Sequence, residues 1–159
     1  EYKRMGALAY MAAWDVQQAK VFGLCRSRSG IDSFRELVDF VMGKEPYRSA
    51  RRVFWITDNG SSHRGQSSID RLKSWDPNAI QIHTPVHASW LNQVEIYFSV
   101  LQRKVLTPNY FESLQELENS ILNFQEEYEK IAKPFEWKFT REDLEKILAK
   151  LDDRQKMAA

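Results

Sequence analysis

The sequence predicts a mixed α/β domain: one sheet with helices on both faces. Three observations lead there. Two short apolar runs near the start are separated by a polar interval. Short β-like runs then alternate with segments of helical period, and three helical patterns close the chain. At 159 residues, with 43% apolar residues and nine Phe, six Tyr and five Trp, there is material for one packed core, since about 100–200 residues per domain is usual. One domain is therefore expected over residues 1–151, with 152–159 as a disordered tail.

Gly6 to Trp14 and Lys20 to Arg26 are the two apolar runs, and Asp15 to Ala19 reads as the hairpin turn between antiparallel strands. Gly6 and Gly23 and the short lengths favour strands over a helix. Asp32 or Ser33 caps a helix with Phe34, Leu37, Val38 and Val41 at helical spacing; Gly43 and Pro46 stop it. Val53-Phe54-Trp55-Ile56 is almost wholly apolar, as expected of a strand buried on both faces. It ends in the polar loop Thr57 to Ser62.

Ser67 or Ser68 starts a helix through Ile69, Leu72 and Trp75, ended by Asp76-Pro77. Ala79 to His83 is a further strand, closed by Thr84-Pro85. A long helix is expected from Trp90 to Leu106, broken at Pro108-Asn109. Ser113 with Glu116 forms a capping box for a helix from Leu114 to Ile131. This helix is amphipathic, with Leu114, Leu117, Ile121, Leu122 and Phe124 on its apolar side, and it either covers the sheet or meets a second protomer. Thr140 with Asp143 opens a last helix to Leu151.

Composition excludes several classes. The net charge of +1 leaves nucleic-acid binding to local basic clusters rather than a global field. The single Cys25 rules out an intramolecular disulfide and fits a reducing compartment. No apolar run approaches the roughly 18 residues of a membrane span. A soluble cytoplasmic protein is the default expectation. The chain opens at Glu1 in sequence that reads as mid-strand, as expected of part of a longer protein.

Two carboxylates carry the chemistry. Asp58 ends an apolar strand, and in open α/β sheets functional groups gather just past strand carboxyl ends. Asp-Asn-Gly is equally good turn chemistry, and position alone leaves both readings open. Glu95 lies at the edge of the apolar stripe Leu91, Val94, Phe98, Leu101 and Val105. The alternative is a solvated helix glutamate. A strand-end Asp followed by helix, strand and a helical Glu is an order that can bring two distant carboxylates together. Divalent metal ions need such shared hard oxygen ligands.

The stretches Ile56-Thr57-Asp58-Asn59-Gly60-Ser61-Ser62-His63-Arg64-Gly65 and Thr84-Pro85-Val86-His87-Ala88-Ser89-Trp90-Leu91-Asn92-Gln93-Val94-Glu95 resemble the signature of DDE-superfamily transposases of bacterial insertion sequences, in the mariner-related branch. The likeness continues through Arg103-Lys104-Val105-Leu106 and Lys133 to Trp137, covering nearly the whole chain. It implies an RNase H-like catalytic domain that binds Mg²⁺ or Mn²⁺, normally two ions, cuts DNA at transposon ends and joins the 3′ ends to target DNA. Terminal inverted repeats and target DNA are the implied partners, with homodimerisation open, in a bacterial, nucleoid-associated setting.

By the same resemblance Asp58 matches the family's second catalytic Asp and Glu95 its third acidic residue. The first Asp sits on a strand preceding the hairpin, which this chain lacks. Asp15 is no substitute, because it falls in the hairpin turn, where Gln18-Ala19 replace the family's Thr-Gly. The chain is therefore expected to be inactive by itself. An inactive remnant serving as a DNA-binding or dimerising module, and an RNase H-like nuclease with another nucleic-acid substrate, are the alternatives.

Around the carboxylates, Asn59, His63, His87 and Asn92 are candidates to steer ligands or contact phosphate. Arg64, Trp90, Gln93, Arg103 and Lys104 are candidates for DNA, with Arg71 and Lys73 nearby in sequence. Phosphate contacts of this kind position a duplex without reading it. On an ideal helix Arg103 lies about 80° from Glu95 and Lys104 about 180° away, which favours Arg103. His83 and His87 are four apart, but Pro85 between them argues against a zinc pair.

Overall fold

In a computed structural model the described residues are 6–86, 88–107, 109–136, 138, 140–147 and 149. The chain runs β1 (Ala9–Asp15), β2 (Lys20–Arg26), α1 (Ile31–Met42), β3 (Val53–Thr57), α2 (Gln66–Trp75), β4 (Ala79–His83), a 3-10 turn (Ser89–Leu91), α3 (Val94–Leu101), a π-helical segment (Gln102–Leu106) and α4 (Leu114–Ile131). Residues 141–147 are also helical. The expected tail 152–159 and the end of the last helix lie outside the described residues.

The strands form two ladders rather than one mixed sheet: β1 pairs antiparallel with β2, and β3 parallel with β4. The β1–β2 hairpin is covered on both faces, because its side chains alternate. Met11, Ala13, Phe22 and Leu24 join α1 in one apolar cluster, with Trp55, Leu72 and Ala79. Tyr10, Ala12, Trp14, Val21 and Cys25 join Tyr97, Leu101 and Ile121 in another. α4 thus covers the hairpin, one of the two roles expected of it. The side chain of Glu129 accepts the Val21 N–H at 2.9 Å and Gln125 donates to the Val21 carbonyl at 3.3 Å, so α4 also closes part of the outer edge of β2.

The β3–β4 ladder is covered on one face only, which corrects the expectation of a strand buried on both. Trp55, Thr57, Ala79 and Gln81 are buried, whereas Phe54, Ile56 and Ile82 are 58%, 49% and 46% exposed. Apolar composition alone could not distinguish a two-sided from a one-sided strand; that depends on which helices arrive.

Helix ends also differ in detail. Gly30, not Asp32 or Ser33, occupies the N-cap of α1, and buried Ser33 instead donates to the Arg28 carbonyl. Gly65, with φ 72°, caps α2. The capping box of α4 forms with Ser113 accepting the Glu116 N–H at 3.1 Å, while Glu116 reaches back to the N–H of Glu112. The expected single helix from Trp90 to Leu106 is three pieces: a 3-10 turn, α3 and a π segment. Thr107 N–H reaches back five residues to Gln102, and the Asn109 side chain takes the Val105 carbonyl. Among the described residues no helix is long and apolar enough to cross a membrane.

Candidate active site

Asp58 follows directly on β3 and is half-buried. Its loop is tightly specified. The Gly60 N–H donates to Asp58 Oδ1 at 3.0 Å, the turn that an Asp-x-Gly sequence favours. The His63 N–H closes on the Gly60 carbonyl at 3.1 Å, and His63 Nε2 returns to the same Asp58 Oδ1. His63 Nδ1 in turn lies 3.1 Å from Ser62 Oγ. The ring rests against Phe34 of α1, centroids 5.4 Å apart. Gly60 is required for this approach: a Cβ there would lie 2.8 Å from His63 Nε2 and 3.0 Å from Asp58 Oδ1.

These contacts set the charge of Asp58. Partial burial pushes its carboxyl up, but the hydrogen bonds from His63 and Gly60 outweigh this and hold it below the ordinary range. Glu95, in the first turn of α3, behaves oppositely. Partial burial and then the charge of Asp58 both push its carboxyl up. The two carboxylates therefore share one electrostatic field, although thirty-six residues lie between them.

A buried polar network fixes the loop from below. Gln81, on the covered face of β4, donates from Nε2 to Thr57 Oγ1 and to the His63 carbonyl, each at 3.0 Å. Its Oε1 accepts from Ser68 Oγ at 2.9 Å. His83 Nε2 also meets the His63 carbonyl, and Arg71 donates to the Ser62 carbonyl at 2.9 Å. Asn59 Nδ2 reaches the Thr84 carbonyl at 2.9 Å, tying the loop after β3 to that after β4.

Sequence reasoning missed Gln81 and Ser68, and set Arg71 toward DNA where the structure spends it on the loop. The signal was available: in Ala79 to His83 the isoleucines alternate with Gln81, yet Gln81 is buried and Ile82 exposed. A strand whose polar residue points inward departs from its own hydrophobic pattern, and such departures concentrate at functional sites.

The remaining candidates are distributed as follows. His83 serves the loop carbonyl. His87 lies outside the described residues. Asn92 sits beside the start of α3, its Oδ1 3.5 Å from the Val94 N–H. Arg64, Trp90, Arg103 and Lys104 are exposed, and Gln93 is half-buried at the N-cap of α3. The π segment begins before Arg103, so the ideal-helix rotation that favoured Arg103 over Lys104 no longer applies. Arg103 Nε rests on the Ser99 carbonyl at 3.2 Å.

Asp15 is occupied elsewhere: Oδ1 accepts the N–H groups of Gln17 and Gln18, and Oδ2 accepts the Tyr47 hydroxyl. Among the described residues no group of three or more His, Cys, Asp or Glu side chains is placed to hold a metal ion. What the described residues offer is Asp58 with His63 upon it, and Glu95, whose carboxyl is raised in part by the charge of Asp58.

No curated protein and no solved structure matches the chain. Residues 1–118, about three quarters of it, match the family described as DDE superfamily endonuclease. With that match spanning both carboxylates, the chain belongs to the DDE superfamily endonucleases.

Proposed function

We propose that the chain is the catalytic part of a transposase of the mariner-related branch, cutting DNA at transposon ends and transferring the 3′ ends to a target. The observation that supports this reading is the match to a family of endonucleases, which spans both Asp58 and Glu95. The donor set fits a hard divalent cation: both groups are carboxylates, and a positive charge between them removes the repulsion that raises Glu95. Asp58 and Glu95 would hold Mg²⁺ or Mn²⁺, two ions in the complete site, which supply Lewis-acid stabilisation of the charge developing on phosphate oxygens.

The protein's own part is positioning. Gly60 and His63 orient the Asp58 carboxylate, and Glu95, in the first turn of α3, would supply the second carboxylate. Arg64, Arg103 and Lys104, all exposed, would meet the phosphate backbone, and Trp90 would stack on an unpaired base. On this reading β1–β2 and β3–β4 are portions of an RNase H-like sheet. A third carboxylate would complete the ligand set on this reading.

The test is cleavage of inverted-repeat DNA by the complete protein with Mg²⁺. Single-strand nicking at the transposon end, followed by joining of the 3′ end to a second duplex, is the expected result. Binding of that DNA without cleavage would identify a remnant instead. Cleavage of RNA–DNA hybrid without preference for the repeat would identify a different nuclease.

A further inference from the structure

We infer that Gln81 is a positioning residue for the Asp58 site: it holds the loop that places His63 on Asp58. The inference deepens the metal-site reading above and rests on it only for its functional half.

Gln81, Thr57 and Ser68 are each more than nine-tenths buried, so their polar atoms have no water to fall back on. A glutamine amide has two N–H donors and one carbonyl acceptor. Here both donors are used upward, on Thr57 Oγ1 at the end of β3 and on the His63 carbonyl in the loop. The carbonyl is used downward, on Ser68 Oγ of α2. His83 supplies a second contact to the His63 carbonyl, which engages both lone pairs of that oxygen. Gln81 therefore joins three elements, β3, α2 and the loop, and only one side of it faces the site.

That asymmetry matters because the His63 backbone and side chain are set together. With its carbonyl fixed from below, the imidazole of His63 is delivered to Asp58 Oδ1. Residues that orient metal ligands from behind in this way typically alter metal affinity by about 10–100-fold when lost. Gln81 touches neither carboxylate, so its influence passes through Thr57, His63 and His83, whose Nε2 lies 3.4 Å from Gln81 Nε2.

Two variants of the full chain separate positioning from mere stability. Gln81→Leu removes both upward donors, whereas Ser68→Ala removes only the downward contact. Both lower thermal stability, since each leaves a buried polar partner unsatisfied. In Gln81→Leu, amide exchange at Gly60 and His63 is expected to rise at least about tenfold, with β1, β2 and α4 unchanged, and Mn²⁺ affinity to fall about tenfold or more. Ser68→Ala should keep the protection of both loop amides and the wild-type Mn²⁺ affinity.

Unchanged exchange at Gly60 and His63 in Gln81→Leu would overturn the inference. So would a loss of affinity in Ser68→Ala as large as that in Gln81→Leu, which would reduce both to general destabilisation. Should the wild-type chain take up no Mn²⁺ while the exchange pattern follows expectation, the metal reading fails and the positioning of the loop by Gln81 stands.

Discussion

The Glu95 carboxyl is pushed up from its ordinary value first by partial burial and then by the charge of Asp58. A strand-end residue is thus felt electrostatically by a helical one, and the first consequences to be measured concern these two groups.

Replacing either carboxylate with alanine should remove the transition-state stabilisation that a bound cation supplies. In the complete protein, Asp58→Ala and Glu95→Ala should each lower DNA cleavage by about 10³-fold or more, a loss of several kcal/mol. Far-UV circular dichroism should be unchanged, because neither residue belongs to an apolar cluster. Cleavage retained by either variant would remove that residue from the site.

The pH dependence follows from opposite signs. The folded Glu95 carboxyl is raised, so its contribution is most favourable at low pH and declines as pH rises past the ordinary glutamate value of about 4.3. Glu95→Gln should therefore melt at a higher temperature than wild type at pH 7 in metal-free buffer, with no gain below about pH 4. Asp58, held low, contributes above its unfolded value and loses that contribution as pH falls. Asp58→Asn should accordingly be less stable at pH 7. Melting curves at a series of pH values decide both.

Gly23 marks a close approach unrelated to the site. A Cβ there would lie 2.2 Å from Tyr10 Oη and 2.3 Å from Gln125 Oε1, and those two are hydrogen-bonded at 2.8 Å. Tyr10 Oη also meets Tyr97 Oη at 3.0 Å. Gly23→Ala should separate this trio and cost about 1–3 kcal/mol, as overpacking of a filled interior does. Urea unfolding provides the measurement.

Ala19 adopts φ 54° in the hairpin turn, the left-handed region that disfavours a side chain. Ala19→Gly should raise stability by up to about 1 kcal/mol, since relief of roughly 1–2 kcal/mol of backbone strain outweighs the added freedom of the unfolded chain. A lower melting temperature would show that the buried Ala19 methyl contributes more than its backbone costs.

Much of this molecule was readable from local pattern. The hairpin follows from two apolar runs around Asp15 to Ala19, and the start of α4 from Ser113 and Glu116, because each signal is encoded within a few neighbouring residues. Family resemblance supplied Asp58 and Glu95 as a pair, which neither position alone could do. What escaped depended on distant partners. The uncovered face of Phe54 and Ile56 reflects which helices reach β3. The π segment, which ends the ideal rotation after Leu101, involves Asn109 capturing a carbonyl further back. Arg71 carries a charge that suits DNA, and only the folded loop shows it on Ser62.

The β3–β4 ladder pairs Trp55 with Gln81 and Thr57 with His83. Shifting β4 by one residue would exchange its two faces, carrying Ile80 and Ile82 inward and Gln81 out. Hydrophobicity alone favours that shifted arrangement, and the polar contacts of Gln81 oppose it. β4 is thus a locally frustrated strand, and its frustration is resolved in favour of the site. A slipped ladder would be a well-greased core with a disassembled Asp58 loop, so in this fold the register of β4 and the geometry around Asp58 are the same variable.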